Sequence, residues 1–371
     1  MDLHITQDEF VRAMASVQGV VERRSTHQVL SNALLTAAAG ELQVMATDSE
    51  LTLVSRHVAQ VSREGMASIH AAHLFQVARN LPTGPVHLVL ENQHLVVDAP
   101  PAHYRILGLP PEDYPAFPAI EAVSKLEVGS EGLKRLVDET VFAIPLDDQR
   151  YGLNGGHLES VESPDGESRV RLVTTDGSRL CYSETPYSGT FGMGRHMLLP
   201  RKALVELRKM LDRPEEKVEI AFGERAATFT MGTAILHTRL VDGEFPAYRS
   251  VLPKTHLRRL EVDRIALLEA FRRVSLEAVD QSNTVRIQVQ PEQLLISARS
   301  VDHGEANHPV PITLEGEPIL MGFNVRFFLD VVSCMTDEAL VAELGEALSP
   351  CVVRPRDRDD ALFIVMPIRL E

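Results

Sequence analysis

Apolar positions recur at helical spacing in three places along this chain, each opened by a residue able to cap a helix. Thr6 leads Phe10, Met14 and Val17; Ser130 leads Leu133, Leu136 and Val137; Asp263 leads Ala266, Leu267, Ala270, Phe271 and Val274. Spacings of three and four set such residues on one helical face, and an opening Ser, Thr or Asp accepts hydrogen bonds from the free backbone N–H groups of the first turn. A second helical run follows each one, at 70–79, 200–211 and 324–335. Equivalent starts lie 124 to 133 residues apart. Between the helices the pattern changes to alternation, which marks strands. It does so at 41–47 and 50–56 around Asp48-Ser49, at 169–175 before Asp176-Gly177, and in the pairs 86–90 with 94–97, 218–222 with 227–231 and 284–290 with 293–298. The strand ends repeat as well: Leu109-Pro-Pro-Glu-Asp-Tyr-Pro115 and Leu240-Val-Asp-Gly-Glu-Phe-Pro246 carry Leu, an acid, an aromatic and Pro in the same order, 131 residues apart.

Repetition at this period means three copies of one module. Many strands beside two helices per copy predict an α+β domain of antiparallel sheet with helices on one side. Domains are expected at 1–121, 126–252 and 257–371, with linkers near 120–125 and 252–257. A length of 371 residues suits two or three ordinary domains, and 44% hydrophobic with 24% charged residues is globular composition. No apolar run reaches membrane-spanning length, and the opening Met-Asp-Leu-His-Ile-Thr lacks the basic end and apolar stretch of a secretion signal. Three cysteines, Cys181, Cys334 and Cys351, show no CxxC spacing, which argues against a disulfide framework or a zinc site and for the cytoplasm.

A net charge of −15 taken alone excludes nucleic acid. Its distribution does not. Taken as 8–18, 71–80, 130–143, 200–213, 263–277 and 324–335, the six helical runs hold 13 Lys plus Arg against 11 Asp plus Glu, so the acid lies in the rest of the chain. Arg201, Lys202, Arg208, Lys209 and Arg213 crowd the fourth run, with Lys134-Arg135 on the third and Arg272-Arg273 on the fifth. Tandem modules that extend their sheets edge to edge leave a sticky edge at each end, and head-to-tail pairing with a second copy closes them into a ring. Helices lining that ring give a basic bore, which holds a duplex by its phosphates without reading bases.

Catalytic signatures are missing. The chain contains no GxxxxGK[ST], HExxH or GxSxG motif, and Gly192-Met-Gly194 is a lone glycine pair. Fourteen histidines are scattered; His70 and His73, the one helically spaced pair, have no carboxylate nearby in sequence. Asp147-Asp148 are adjacent and do not face each other, so they read as a solvated turn. No enzyme, cofactor or metal is expected.

Six segments in order resemble the bacterial DNA polymerase III beta subunit family, the sliding clamps: Arg150-Tyr-Gly-Leu-Asn-Gly155, Thr174-Thr-Asp-Gly-Ser-Arg-Leu180, Leu199-Pro-Arg-Lys202, the run from Leu240 to Pro253, Gly322-Phe-Asn-Val325 and Val365-Met-Pro-Ile-Arg-Leu370. The resemblance covers the whole chain and implies a processivity factor for DNA replication. It further implies a head-to-tail homodimer ring around double-stranded DNA, loaded by an ATP-driven clamp loader and tethering the replicative polymerase. Polymerases, the loader and repair proteins would share one hydrophobic pocket for short linear peptides. The positions matching that pocket are Leu153, Thr175, Gly177, Ser178, Arg179, Leu180, Pro246, Val251, Ile364 and Met366, with Arg150 and Pro350 at its rim. Those matching duplex contacts are Arg24, Arg201, Lys202 and Lys209. Gly152 and Ser178 depart from the tyrosine and histidine of some members, which puts a gating side chain and the peptide preference in question. His27-Gln28 replaces a Leu-Pro pair, and the 297–305 edge is less acidic than in some relatives. The alternative reading is a clamp paralogue that kept the peptide pocket as a scaffold and does not encircle DNA.

Overall fold

The computed structural model describes residues 1–22, 27–118, 121–146, 151–163, 166–192, 197–212, 216–278, 283–300 and 304–370, with only the backbone of Tyr151. In the first repeat lie β1 (Asp2–Thr6), α1 (Gln7–Ser16), β2 (Asn32–Ala38), β3 (Glu41–Thr47), β4 (Leu51–Val58), β5 (Gln60–Arg63) and β6 (Gly65–His70). It continues with α2 (Ala71–Asn80), β7 (Pro85–Glu91), β8 (His94–Ala99) and β9 (Ala102–Leu107). The second holds β10 (Ser124–Gly129), α3 (Ser130–Thr140), β11 (Gly155–Glu162), β12 (Ser168–Thr175), β13 (Arg179–Gly189), β14 (Met197–Pro200), α4 (Arg201–Met210), β15 (Lys217–Phe222), β16 (Ala226–Met231) and β17 (Ala234–Arg239). The third holds β18 (Arg258–Asp263), α5 (Arg264–Val274), β19 (Thr284–Gln290), β20 (Gln293–Ser300), β21 (Gly304–Glu315) and β22 (Ile319–Asn324). It ends with α6 (Val325–Cys334), β23 (Ala339–Leu344), β24 (Cys351–Pro355) and β25 (Ala361–Val365).

All six helices stand where the apolar spacing set them, two per repeat, and every strand expected from alternation is present. The strand that runs directly into the first helix of each repeat, β1, β10 and β18, is not among those expected from alternation, and β10 begins at Ser124. Helix starts follow capping chemistry. Thr6 accepts from the Glu9 N–H, Asp263 from that of Ala266 at 2.7 Å, and Asn324 from that of Arg326 at 2.9 Å. The His70 imidazole caps α2 by accepting from the His73 N–H at 3.2 Å, which gives that histidine pair a structural task.

The chain folds as two compact units, and both divide the second repeat. The first, 1–131 with 187–194 and 202–240, contains a five-stranded sheet in the order β5-β1-β7-β8-β9. Its other sheet carries on from the first repeat into the second: β4 pairs with β17 antiparallel, Thr52 opposite His237. Helices α1 and α2 pack together over these sheets and bury Phe10, Met14, Leu74 and Val77, each contributing about 1.5–3 kcal/mol of burial.

The second unit, 132–186 with 195–201 and 241–371, repeats that joint between the second and third repeats. Here β13 pairs with β25, Leu180 opposite Ile364. The core beneath α5 and α6 is aromatic: Phe271 stacks on Phe328 with centroids 5.0 Å apart, and Phe323 meets Phe328 edge-on. No helix among the described residues is long and apolar enough to cross a membrane.

Candidate functional site

The expected pocket residues gather at the β13–β25 joint. The chain turns from β12 to β13 through Asp176-Gly177-Ser178, where the Asp176 carboxylate accepts the N–H groups of Ser178 at 2.9 Å and Arg179 at 3.0 Å. Gly177 adopts φ +88°, a conformation that carries no penalty only without a Cβ. The Ser178 carbonyl then accepts the Met366 N–H at 2.9 Å, fixing the end of β25 beside the turn.

Beneath this backbone lies an apolar floor. Leu180 and Ile364 join Val173, Tyr182, Leu198, Phe245, Tyr248, Val352 and Leu362 in one buried cluster, and Thr175 is buried opposite Leu180. Leu153 is buried as well, in a short turn that runs beside 244–246. That approach explains Gly152: a Cβ there would stand 2.3 Å from the Glu244 carbonyl oxygen, so no side chain, gating or otherwise, fits at this position. Around the floor the rim is open. Val251 and Met366 are 52% and 40% exposed, Pro246, Gly177 and Ser178 are exposed, and Val251 shares a groove with Pro350. Arg150 lies outside the described residues.

Arg179 does different work from the rest. Its guanidinium pairs with Asp176 at 2.9 Å and Asp330 at 2.5 Å, donates to the Phe142 carbonyl at 2.8 Å, and lies over the rings of Phe142 and Phe327. With its side chain only 10% exposed, it pins the turn to α6.

Sequence reasoning missed the groups that hold the Val251 segment. Tyr248 sits in the short helical turn Tyr248–Ser250, and its hydroxyl meets the Glu159 carboxylate and the Arg171 guanidinium. Arg249 adds two bonds to Glu159 at 2.9 Å. Burial would raise the Glu159 carboxyl, but hydrogen bonds from His157 and Tyr248 and the Arg249 charge outweigh it and hold the carboxyl down at about 2. Burial and the Glu159 contact push the Tyr248 hydroxyl up to about 12, so it stays a donor. An aromatic and a cation in the 240–253 segment facing an acid on β11 were the only signals in the sequence, and they lie 89 residues apart. Cys181, next to Leu180, has its thiol pushed up by complete burial and is chemically inert.

The candidate duplex residues lie elsewhere. On α4, Lys202 donates to the Val20 carbonyl at 3.0 Å and pairs with Asp48 at 2.5 Å, while Lys209 pairs at 2.7 Å with Glu206. The Glu206 carboxylate fills the space against Gly19, where a Cβ would be 2.0 Å away. The segment 17–22 therefore packs on α4. Arg201 opens that helix and its Nε is buried without a partner; Arg24 lies outside the described residues.

Comparison with known proteins agrees with this architecture. Family models for the N-terminal, central and C-terminal domains of the DNA polymerase III beta subunit match residues 1–118, 127–247 and 249–369. The beta sliding clamp of Caulobacter vibrioides is 31% identical over 374 residues, and that of Escherichia coli K12 is 30% identical over 372, each match covering 100% of both chains. Among solved structures, the sliding clamp from Bartonella birtlesii bound to griselimycin superposes with a TM-score of 0.93 at 31% identity, over 100% of both chains. The beta subunit from Thermotoga maritima gives 0.91 at 26% identity, again over 100% of both. With three tandem clamp domains matched along its length, the chain belongs to the DNA polymerase III beta subunit family, the beta sliding clamps, and is a processivity factor of DNA replication.

Proposed function

We propose that the β13–β25 joint is the exchange site of this clamp, where partner proteins insert one short extended peptide. One observation carries this reading: an exposed apolar rim of Pro246, Val251 and Met366 stands over a buried apolar floor of Leu153, Leu180 and Ile364. An apolar slot of this kind takes Leu or Phe anchors, and the exposed Gly177 turn allows a peptide backbone to pass close by. Ser178 offers a small polar group where a larger side chain would narrow the entrance. The occupants are the replicative polymerase, the clamp loader and repair proteins, bound one at a time; the subunit itself is non-catalytic.

Ring closure rests on two free edges. Among the described residues, strand β9 ends its sheet, and the first half of β21 pairs only with β20. Leu107 on β9 is 64% exposed and, just after the α5 helix that packs on β21, Leu276 is 74% exposed. Head-to-tail pairing of one protomer's β9 with the partner subunit's β21 covers both edges and encloses the duplex, with the three repeats as clamp domains at 1–121, 126–252 and 257–371. Lys202 and Lys209 meet phosphates there by exchanging Asp48 and Glu206 for the backbone of the duplex, and Arg201 and Arg24 join them.

Two measurements test these readings. A fluorescently labelled peptide with Leu and Phe anchors is expected to bind the wild type and to lose about 1–2 kcal/mol, a factor of 5–30, with Met366→Ala. Equal affinities would remove Met366 from the slot. Protein loaded on nicked circular DNA is expected to slide off on linearisation, and retention regardless of DNA shape would contradict the ring.

A further inference from the structure

On the outer face of the five-stranded sheet, residues that ligate metals line up across neighbouring strands. Strand alternation puts Asp2 and His4 of β1 on the same face, and the register sets His4 directly opposite His87 of β7. His87 in turn faces Asp98 on β8, which faces His103 on β9. The His87 Nε2 lies 2.9 Å from an Asp2 carboxylate oxygen, and the His4 and His87 rings stack with centroids 4.1 Å apart and planes 5° from parallel. One ligand atom from each of Asp2, His4 and His87 falls within 4.8 Å of the other two, the one such convergence of three among the described residues.

We propose that Asp2, His4 and His87 form a binding site for one divalent transition-metal ion of borderline softness, Zn2+ being the representative. Two imidazoles and one carboxylate are the donor set that such ions select, whereas Mg2+ and Ca2+ prefer oxygen alone. Tetrahedral bonds of about 2.0–2.1 Å require the three donors to draw together from their present spacing. Because imidazole lone pairs lie in the ring plane, binding also requires the exposed His4 ring to turn out of its stack on His87; Asp2 and His87 keep 29% and 35% side-chain exposure. The flanking charges are Arg63 on β5, opposite Asp2, the Met1 ammonium beside them, and Asp98 on β8, opposite His87, which alone favours a bound cation. His87 contributes its Nε2, so its ring proton moves to Nδ1 and the Asp2 oxygen exchanges a hydrogen bond for the metal.

Such an ion staples β1 to a strand 85 residues further along the chain. Because β1 lies between β5 and β7, the staple suppresses local opening at the amino-terminal end of the sheet. None of these residues belongs to the peptide slot or to α4, so the site adds a ligand to the clamp without touching its exchange surface.

Zinc titration of the untagged full-length protein by calorimetry tests the assignment. The wild type is expected to take up one equivalent that millimolar Mg2+ does not displace. His4→Gln and His87→Gln are each expected to weaken it by more than about tenfold, as loss of a ligand does. His103→Gln, one strand beyond the triad, is expected to leave it unchanged. An identical isotherm in the His4→Gln, His87→Gln double variant, displacement by Mg2+, or an equal loss in His103→Gln would overturn the proposal. Should a variant fold poorly, anomalous scattering at the zinc edge from a soaked wild-type crystal decides: a peak among Asp2, His4 and His87 supports the site, and its absence there refutes it.

Discussion

The joint between the first and second repeats and the joint between the second and third are built alike, yet the first is polar where the second is apolar. In both, a strand turns through Thr-Asp: Asp48 accepts the N–H groups of Glu50 and Leu51, as Asp176 accepts those of Ser178 and Arg179. Both turns then run into a strand that pairs with the next repeat. One rung into that ladder the first joint sets Thr52 against His237, and the second sets Leu180 against Ile364. All four are at most 4% exposed, so burial does not distinguish the joints; polarity does. Thr52 bonds Thr47 at 2.8 Å, His237 contacts Thr228 at 3.1 Å, and the Phe117 ring closes over His237 edge-on at 5.9 Å. Burial lowers the His237 imidazole, which keeps it neutral inside. The first joint satisfies itself. The second is apolar at the same rung, with Leu180 and Ile364 in one buried cluster and Met366 exposed just beyond it.

Importing the first joint's chemistry into the second is the most disruptive way to break the contrast. Leu180→Thr removes buried apolar volume and adds a hydroxyl; we expect a loss of about 2–4 kcal/mol in denaturant unfolding, with peptide binding abolished. Retained affinity would show that floor polarity does not decide the slot. The cations behind the two turns come next. Arg179→Ala strips two carboxylates and a carbonyl of a nearly buried partner and should lower stability by about 3 kcal/mol. Lys202→Ala, whose side chain is 43% exposed, should cost less than about 1 kcal/mol in the same assay. Equal effects would mean that the two turns are supported alike.

Much of this was legible in the residues, for reasons that differ by level. Helices announced themselves through capped three-and-four spacing, and hairpins such as β19–β20 through alternation around Pro291-Glu292. Strands β1, β10 and β18 were missed because each is short and merges with the capping signal of the helix that follows. The slot's residues were legible only through family resemblance: Leu180 and Ile364 look like ordinary core in isolation, and it is the register that brings them together. Likewise, the Glu159 support and the Asp2, His4 and His87 cluster depend on contacts more than 80 residues apart, which no local pattern encodes.

Smaller effects sharpen the comparison. The Glu159 carboxyl is held below its ordinary value of 4.5, at about 2, so its contribution is complete above about 4.5 and is lost as pH falls toward 2. Glu159→Gln should therefore flatten the fall in stability across that window, measured by acid unfolding; an unchanged slope would remove the network from the account. The first joint has no counterpart to this acid-sensitive support among the described residues. Smallest is the electrostatic change on α4. Lys209→Ala should leave thermal stability nearly unchanged and reduce the salt slope of DNA binding by about 0.9, the share of a single neutralised phosphate. An unaltered slope takes Lys209 off the duplex.

Hydrogen exchange on the full chain, with and without saturating anchor peptide, tests the contrast between the joints most directly. Amides of 175–180, 248–252 and 364–366, including the Met366 N–H held by Ser178, are expected to slow, while those of 47–52 and 236–238 exchange as before. Slowing at the first joint, or none at the second, would contradict the account.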